Sequence, residues 1–273
     1  MANSKKGSFG MRPNYLREKL RSGKPTVSTN VMIKSADVIE ILGHAGTFDY
    51  VEYQAEYVPW DLDWLDHFAR TVALFPGMGA MIKFDQEPRT FLAAKAIGAG
   101  IDGICFADIK SVENAKECIT AARSDTPKGK GRLGYGDRRV ADYFLAGLEN
   151  YVKALDETVI TFMIEKREAF ANLDAILSVE GLDMVQFGPG DYSLSVGKPG
   201  QWDAQELKDG MDRMIKTALK YKVHPRVAIG APDDAKKYLD MGVRHFILGT
   251  DLATLWRFWK DEGGNLKGIL EGR

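Results

Sequence analysis

The sequence predicts an α/β fold, a single (β/α)8 TIM barrel with a helical extension at its C-terminus. Three observations lead there. Strand-like and helix-like segments alternate along the whole chain, as parallel strands joined by crossover helices require. Eight strand-like segments can be counted, which suits a closed barrel better than an open doubly wound sheet. The chain has 273 residues, close to the about 250 that one such barrel needs, so residues 1–273 are read as one domain.

The elements follow in order. Residues 25–33 are rich in Val, Ile and Thr and form the first strand. The amphipathic stretch 36–42 follows, and Gly46 stands where a left-handed helix terminator belongs. Residues 48–54 are the second strand and 61–74 a helix. The third strand is 79–84, the fourth 103–107, entered through Gly100, and 112–123 is the helix after it. Strands five and six are 158–164 and 184–187, separated by the helical 168–179 and by Gly181. Helix 204–221, strand 226–229, helix 233–241 with Gly242, and strand 245–248 complete the alternation.

Two segments depart from it. Residues 124–139 (SDTPKGKGRLGYGDRR) carry five Lys or Arg, four glycines and a proline. A polar Gly-rich loop of that length is expected to be an active-site element or an interface arm. It is not a phosphate-binding Walker loop, because no Gly-Lys-Ser/Thr follows at the required spacing. The tail, about 251–273, reads as a helix bearing Trp256, Phe258 and Trp259. A lone barrel has no place for that much aromatic surface, so the segment is expected at a subunit interface of a homo-oligomer.

Composition excludes several function classes. Charge is almost balanced, 37 basic against 38 acidic residues, and no basic stripe interleaves with aromatics, so nucleic acid is not an expected partner. No apolar run of membrane-spanning length occurs, and Met1–Phe9 is polar and basic. Cys105 and Cys118 lack metal-ligand spacing and read as reduced thiols. A cytoplasmic protein without membrane partners is the expectation.

Two carboxylates carry the chemistry. Glu165 follows an apolar strand, and Asp191 follows the next one in Phe187-Gly188-Pro189-Gly190-Asp191-Tyr192-Ser193. On consecutive barrel strands both reach the C-terminal mouth, where paired carboxylates suit a hard divalent cation completed by water or substrate. The plainer alternative makes Glu165 a helix opener and Asp191 a turn cap. The histidines offer little: His44, His224 and His245 fall at the barrel's lower end and His67 on a helix.

These residues resemble the HpcH/HpaI aldolase family, metal-dependent lyases of the phosphoenolpyruvate-binding barrel superfamily. The resemblance runs from Leu20 to about Trp256. It rests on Ile164-Glu165 with Arg167-Glu168-Ala169 and Asn172-Leu173, on Gly188 to Ser193, and more loosely on residues 127–134. It implies that Glu165 and Asp191 bind Mg²⁺, Mn²⁺ or Co²⁺, that the substrate is a 2-oxo acid or related carboxylate, and that a metal-stabilised enolate forms. Hexamers are common among proteins of this kind.

The chain departs from that family in its acid/base set. Where the family has Asp-Gly-Glu-His after the second strand, this chain has Gln54-Ala55-Glu56-Tyr57. Lys83 stands for an arginine, Met163 for a glutamine and Ala96 for an aspartate. Tyr57 and Glu56 are therefore expected to move protons, and Lys83 to hold substrate charge or act as a Schiff-base amine. Gly188, Pro189, Tyr192, Ser193 and Trp60 are expected to line the substrate pocket. The function so implied is a carbon–carbon lyase with a non-standard acid/base set. The alternatives are a decarboxylase, hydratase or elimination enzyme on the same platform, or a metabolite-binding protein without turnover.

Overall fold

The computed structural model describes residues 12–136, 138–143 and 145–272. The polar segment Met1–Phe9 lies outside them. Eight parallel strands close in sequence order: β1 (Thr26–Val31), β2 (Tyr50–Gln54), β3 (Gly79–Phe84), β4 (Gly103–Phe106), β5 (Val159–Ile164), β6 (Met184–Phe187), β7 (His224–Ile229) and β8 (His245–Thr250). The helices are α1 (Tyr15–Arg21), α2 (Ala36–Ala45), α3 (Leu62–Val72), α4 (Arg89–Ala99), α5 (Val112–Ala121) and α6 (Leu148–Glu157). They continue with α7 (Arg167–Ala171), α8 (Leu173–Leu177), α9 (Pro189–Ser195), α10 (Gln205–Lys220), α11 (Ala235–Asp240) and α12 (Asp251–Leu270). The helix expected over 168–179 is broken at Asn172 into α7 and α8.

Side-chain alternation divides the core in two. Val51 and Tyr53 of β2 face the helix ring, where Tyr53 packs on Trp64 and Phe68 of α3. Tyr50 and Glu52 face inward. At the lower end of the barrel, Tyr50, Met81, Cys105, Val159, Met163 and Met184 form a separate inner cluster with Leu16 and Leu20 of α1. That short helix plugs the bottom. Its two buried leucines contribute about 3–6 kcal/mol of apolar burial together. Asn14 pins it by donating to the Asp102 and Glu157 carbonyls at 2.7 and 2.9 Å. With the bottom sealed, the open end of the barrel is the one formed by the strand C-termini.

The two irregular segments take distinct places. Buried Arg123 donates to the carbonyls of Leu155, Thr158 and Gly181, which lie at the lower ends of the strands. From there the loop runs along the outer helices: Arg132 reaches Thr90 and Glu117, Arg138 reaches Asp66, and Arg139 the Ala99 carbonyl. Among the described residues, none of these contacts is to Glu56, Tyr57, Lys83, Glu165 or Asp191. Helix α12 leaves Trp256, Phe258 and Trp259 exposed and buries no residue. No helix among the described residues is long and apolar enough to cross a membrane.

Candidate active site at the barrel mouth

Side chains at and just past the ends of β2, β3, β5 and β6 build the candidate site at the mouth. Lys83 is the inward residue near the end of β3, paired in register with Gln54 of β2 and Cys105 of β4. Just past β2, a 3-10 turn over Ala55–Tyr57 brings Glu56 and Tyr57 onto it. The Lys83 ammonium forms an ion pair with Glu56 Oε2 and donates to the Tyr57 phenol oxygen at 2.5 Å. Only 3% of Lys83 is exposed, whereas Tyr57 is half-exposed. Burial works against the lysine's charge, but the carboxylates of Glu165 and Glu56 outweigh it and hold its pKa above the ordinary range. Lys83 is thus a fixed cation. A Schiff-base role needs the free amine, which this setting suppresses.

Tyr57 is a donor. Burial raises its pKa to about 12 despite the Lys83 charge and hydrogen bond that pull it down, with Glu56 and Glu165 adding to the rise. Its oxygen accepts from Lys83, so its own proton is directed elsewhere.

Glu165 follows β5 and is 2% exposed. Its Oε1 accepts from the Asp108 backbone N–H at 2.8 Å. Burial raises its pKa first of all, and Asp191 and Glu56 raise it further, against Lys83 and that hydrogen bond. A buried carboxylate with like-charged neighbours is the environment that a bound cation relieves. Gly188 leaves room for it: a Cβ there would lie 2.4 Å from Glu165 Oε2. That is why glycine opens the Gly188-Pro189 turn, with Pro189 the first residue of α9. Asp191 sits in the first turn of α9 and accepts from Lys166 Nζ at 2.9 Å.

Two carboxylates beside a bare glycine fit a hard cation bound through oxygen. Among the described residues no three His, Cys, Asp or Glu side chains gather as a ready-made cage. Such a cation would therefore take its remaining positions from water or substrate oxygens.

Two residues expected in the pocket are elsewhere. Tyr192 turns outward and packs on Phe170 and Phe187 at 4.7 and 5.1 Å between ring centroids. Its ring fills the helix–barrel layer because α9 faces α10 there. Ser193 is buried, and its hydroxyl is spent on the Gly190 carbonyl at 2.6 Å. Trp60 stays on the rim, with its indole N–H on Asp85.

Other residues escaped the sequence reading. Asp108, two residues past β4 and 3% exposed, has a left-handed backbone with φ 57°. The rule that selects Glu165, a carboxylate just beyond an apolar strand, selects Asp108 as well. Glu52 faces the barrel interior, not the helices, and pairs with Arg226 of β7 at 2.5 Å, both essentially sealed from solvent. Gln54 donates to Glu52 at 2.6 Å and so connects this buried pair to the mouth. A cavity of about 720 Å³ opens at the opposite end of the barrel, lined in part by Arg12, Asp102, Arg139 and Glu157. Its Arg12–Asp102 and Arg21–Glu157 charges are already paired.

Known proteins resemble this chain in sequence and in fold. Residues 76–257 match the family model described as HpcH/HpaI aldolase/citrate lyase. A hydroxypyruvate/pyruvate aldolase of Pseudomonas aeruginosa is 27% identical, over 93% of each chain. A 4-hydroxy-2-oxo-heptane-1,7-dioate aldolase of Escherichia coli is 25% identical, over 89% of this chain and 91% of that one. In fold, the chain is similar to an HpcH/HpaI aldolase from Desulfitobacterium hafniense, with a TM-score of 0.84 over 92% of this chain and 96% of that one at 24% identity.

Proposed function

This chain belongs to the HpcH/HpaI aldolase/citrate lyase family, and from that premise we propose that it works on a 2-oxo acid at the barrel mouth, with a divalent cation held by Glu165 and Asp191. It is a carbon–carbon lyase of the aldolase type. The observation that carries the reading is one mouth that holds paired carboxylates against a sealed, charged lysine.

A bound dication, Mg²⁺ or Mn²⁺ and by the same chemistry Co²⁺, supplies fixed positive charge for the negative charge that grows on a keto oxygen during cleavage. The protein's own groups do the rest. Lys83 adds a second positive charge for the substrate carboxylate. The Glu56 carboxylate takes the proton of the 4-hydroxyl as the C3–C4 bond breaks and its electron pair moves toward the keto group. The Tyr57 phenol gives its proton to C3. Lys83 touches both groups, steadies the phenolate, and lets the proton on Glu56 return to Tyr57, which restores the site. Gly188 and Pro189 shape the wall beside Glu165. Trp60 on the rim meets the part of the substrate beyond C4.

The exposed aromatics of α12 support a homo-oligomer assembled through that helix, a hexamer in this reading, and two unpaired buried thiols suit the cytoplasm. Light scattering on the purified protein measures the assembly directly. A monomer in solution would remove it.

Hydrogen–deuterium exchange into the methyl group of pyruvate, followed by proton NMR, tests the chemistry. Exchange that needs Mn²⁺ or Mg²⁺ and disappears in Glu165→Gln is the expected result. No exchange with any divalent metal would sink the proposal.

A further inference from the structure

Lys166 and Asp108 take no part in the cleavage just described, yet they join its two carboxylates. The Lys166 ammonium lies 2.9 Å from Asp191 Oδ1 and 3.3 Å from Asp108 Oδ1. Asp108 Oδ2 accepts a second cation, Lys110, at 2.7 Å. The backbone N–H of the same Asp108 donates to Glu165 Oε1 at 2.8 Å. One residue thus holds the first carboxylate by its main chain and, by its side chain, the lysine that sits on the second. Asp108 does so from a left-handed conformation, a strain that persists where the surroundings over-determine it.

The consequence is electrostatic. An ammonium in contact with Asp191 occupies the negative potential that a dication there would use, and two cations near one carboxylate repel. Lys166 can lean either to Asp191 or to Asp108. The more strongly Asp108 holds it, the less it opposes a metal ion.

We propose that Lys166 is a built-in competitor for the cation at Glu165 and Asp191, and that Asp108 sets the affinity of that site by drawing Lys166 aside. This rests on the metal reading above. Both are positioning residues, with no contact to the reacting atoms.

The test is a titration of the chelator-treated full-length protein with Mn²⁺, with free Mn²⁺ read from its EPR signal. Lys166→Met, which keeps the stem and removes the charge, should bind Mn²⁺ about tenfold tighter than the parent. Lys166→Arg should stay near the parent value. Asp108→Asn should bind about fivefold more weakly, and that loss should vanish when Lys166→Met is also present. Unchanged or weaker binding in Lys166→Met would overturn the proposal, and this variant alone decides it if Asp108→Asn does not fold. Equal loss from Asp108→Asn in both backgrounds would also overturn it, since Asp108 would then be a direct ligand. Absence of any Mn²⁺ uptake by the parent protein would remove the metal reading itself, an outcome distinct from either.

Discussion

The Lys83 ammonium donates to the Tyr57 phenol oxygen over 2.5 Å. That single contact orients the phenol, and under the proposed mechanism it readies Tyr57 to act as the proton donor. In that mechanism the oxygen is engaged as an acceptor, which leaves its proton for another partner.

Tyr57→Phe should lower kcat by about 10²- to 10⁴-fold, the range for loss of a positioned acid, with little change in KM. Because the phenol's pKa is pushed up to about 12, the parent kcat should show no loss from phenol ionisation as pH rises from 7 to 10. Steady-state kinetics across that range checks both points. A basic limb below pH about 9 that disappears in Tyr57→Phe would contradict the assignment.

Gly188→Ala places a methyl group 2.4 Å from Glu165 Oε2 and 2.7 Å from Glu165 Cβ. Overpacking of that kind costs roughly 1–3 kcal/mol, and here the flexible end that must yield is the carboxylate. Mn²⁺ affinity should fall at least about tenfold while far-UV circular dichroism stays native. Unaltered affinity would mean that Glu165 does not need the space.

Glu52 and Arg226 should be unequal to their sum. Glu52→Leu alone strands a guanidinium that is 0% exposed, a change worth about 3–5 kcal/mol of destabilisation. Adding Arg226→Met should recover most of it, since paired apolar replacements remove both desolvation costs. Urea unfolding of the two single variants and the double measures the coupling.

His245 links stability to acid. It is 3% exposed, shares hydrogen bonds with Thr26 and His224, and has its pKa lowered to about 3 by burial, His224 and Arg226. The fold binds the neutral ring, so this stability is full above the unfolded value of about 6.5 and drains away as pH falls from there toward about 3. His245→Gln should flatten the decline in melting temperature between pH 6.5 and 4. An identical slope in parent and variant would place the acid sensitivity elsewhere.

Much of this architecture is legible in the sequence alone. The alternation of segments and the glycines ahead of the strands specify the barrel because crossover connections and left-handed helix ends are local in sequence. Glu165 and Asp191 announce themselves by standing just past apolar strands, on neighbouring staves of a parallel sheet. Lys83, Glu56 and Tyr57 were visible as the residues present where the family's arginine, glutamate and histidine would be.

What the chain order could not decide is which way a side chain points. A period of two sends Glu52 inward to Arg226 and Tyr53 outward to Trp64, and one residue of register reverses both. The same uncertainty turned Tyr192 from expected pocket wall into helix packing. Asp108 and Lys166 are 58 residues apart by their numbering and meet only because β4 and β5 are neighbours in the closed barrel. The sequence by itself determined the fold and the place of Glu165 and Asp191 just past neighbouring strands. Tertiary structure alone decided the burial of Lys83, its contacts with Glu56 and Tyr57 and the ion pairs around Asp191, because burial and charge proximity are properties of the folded arrangement rather than of the chain.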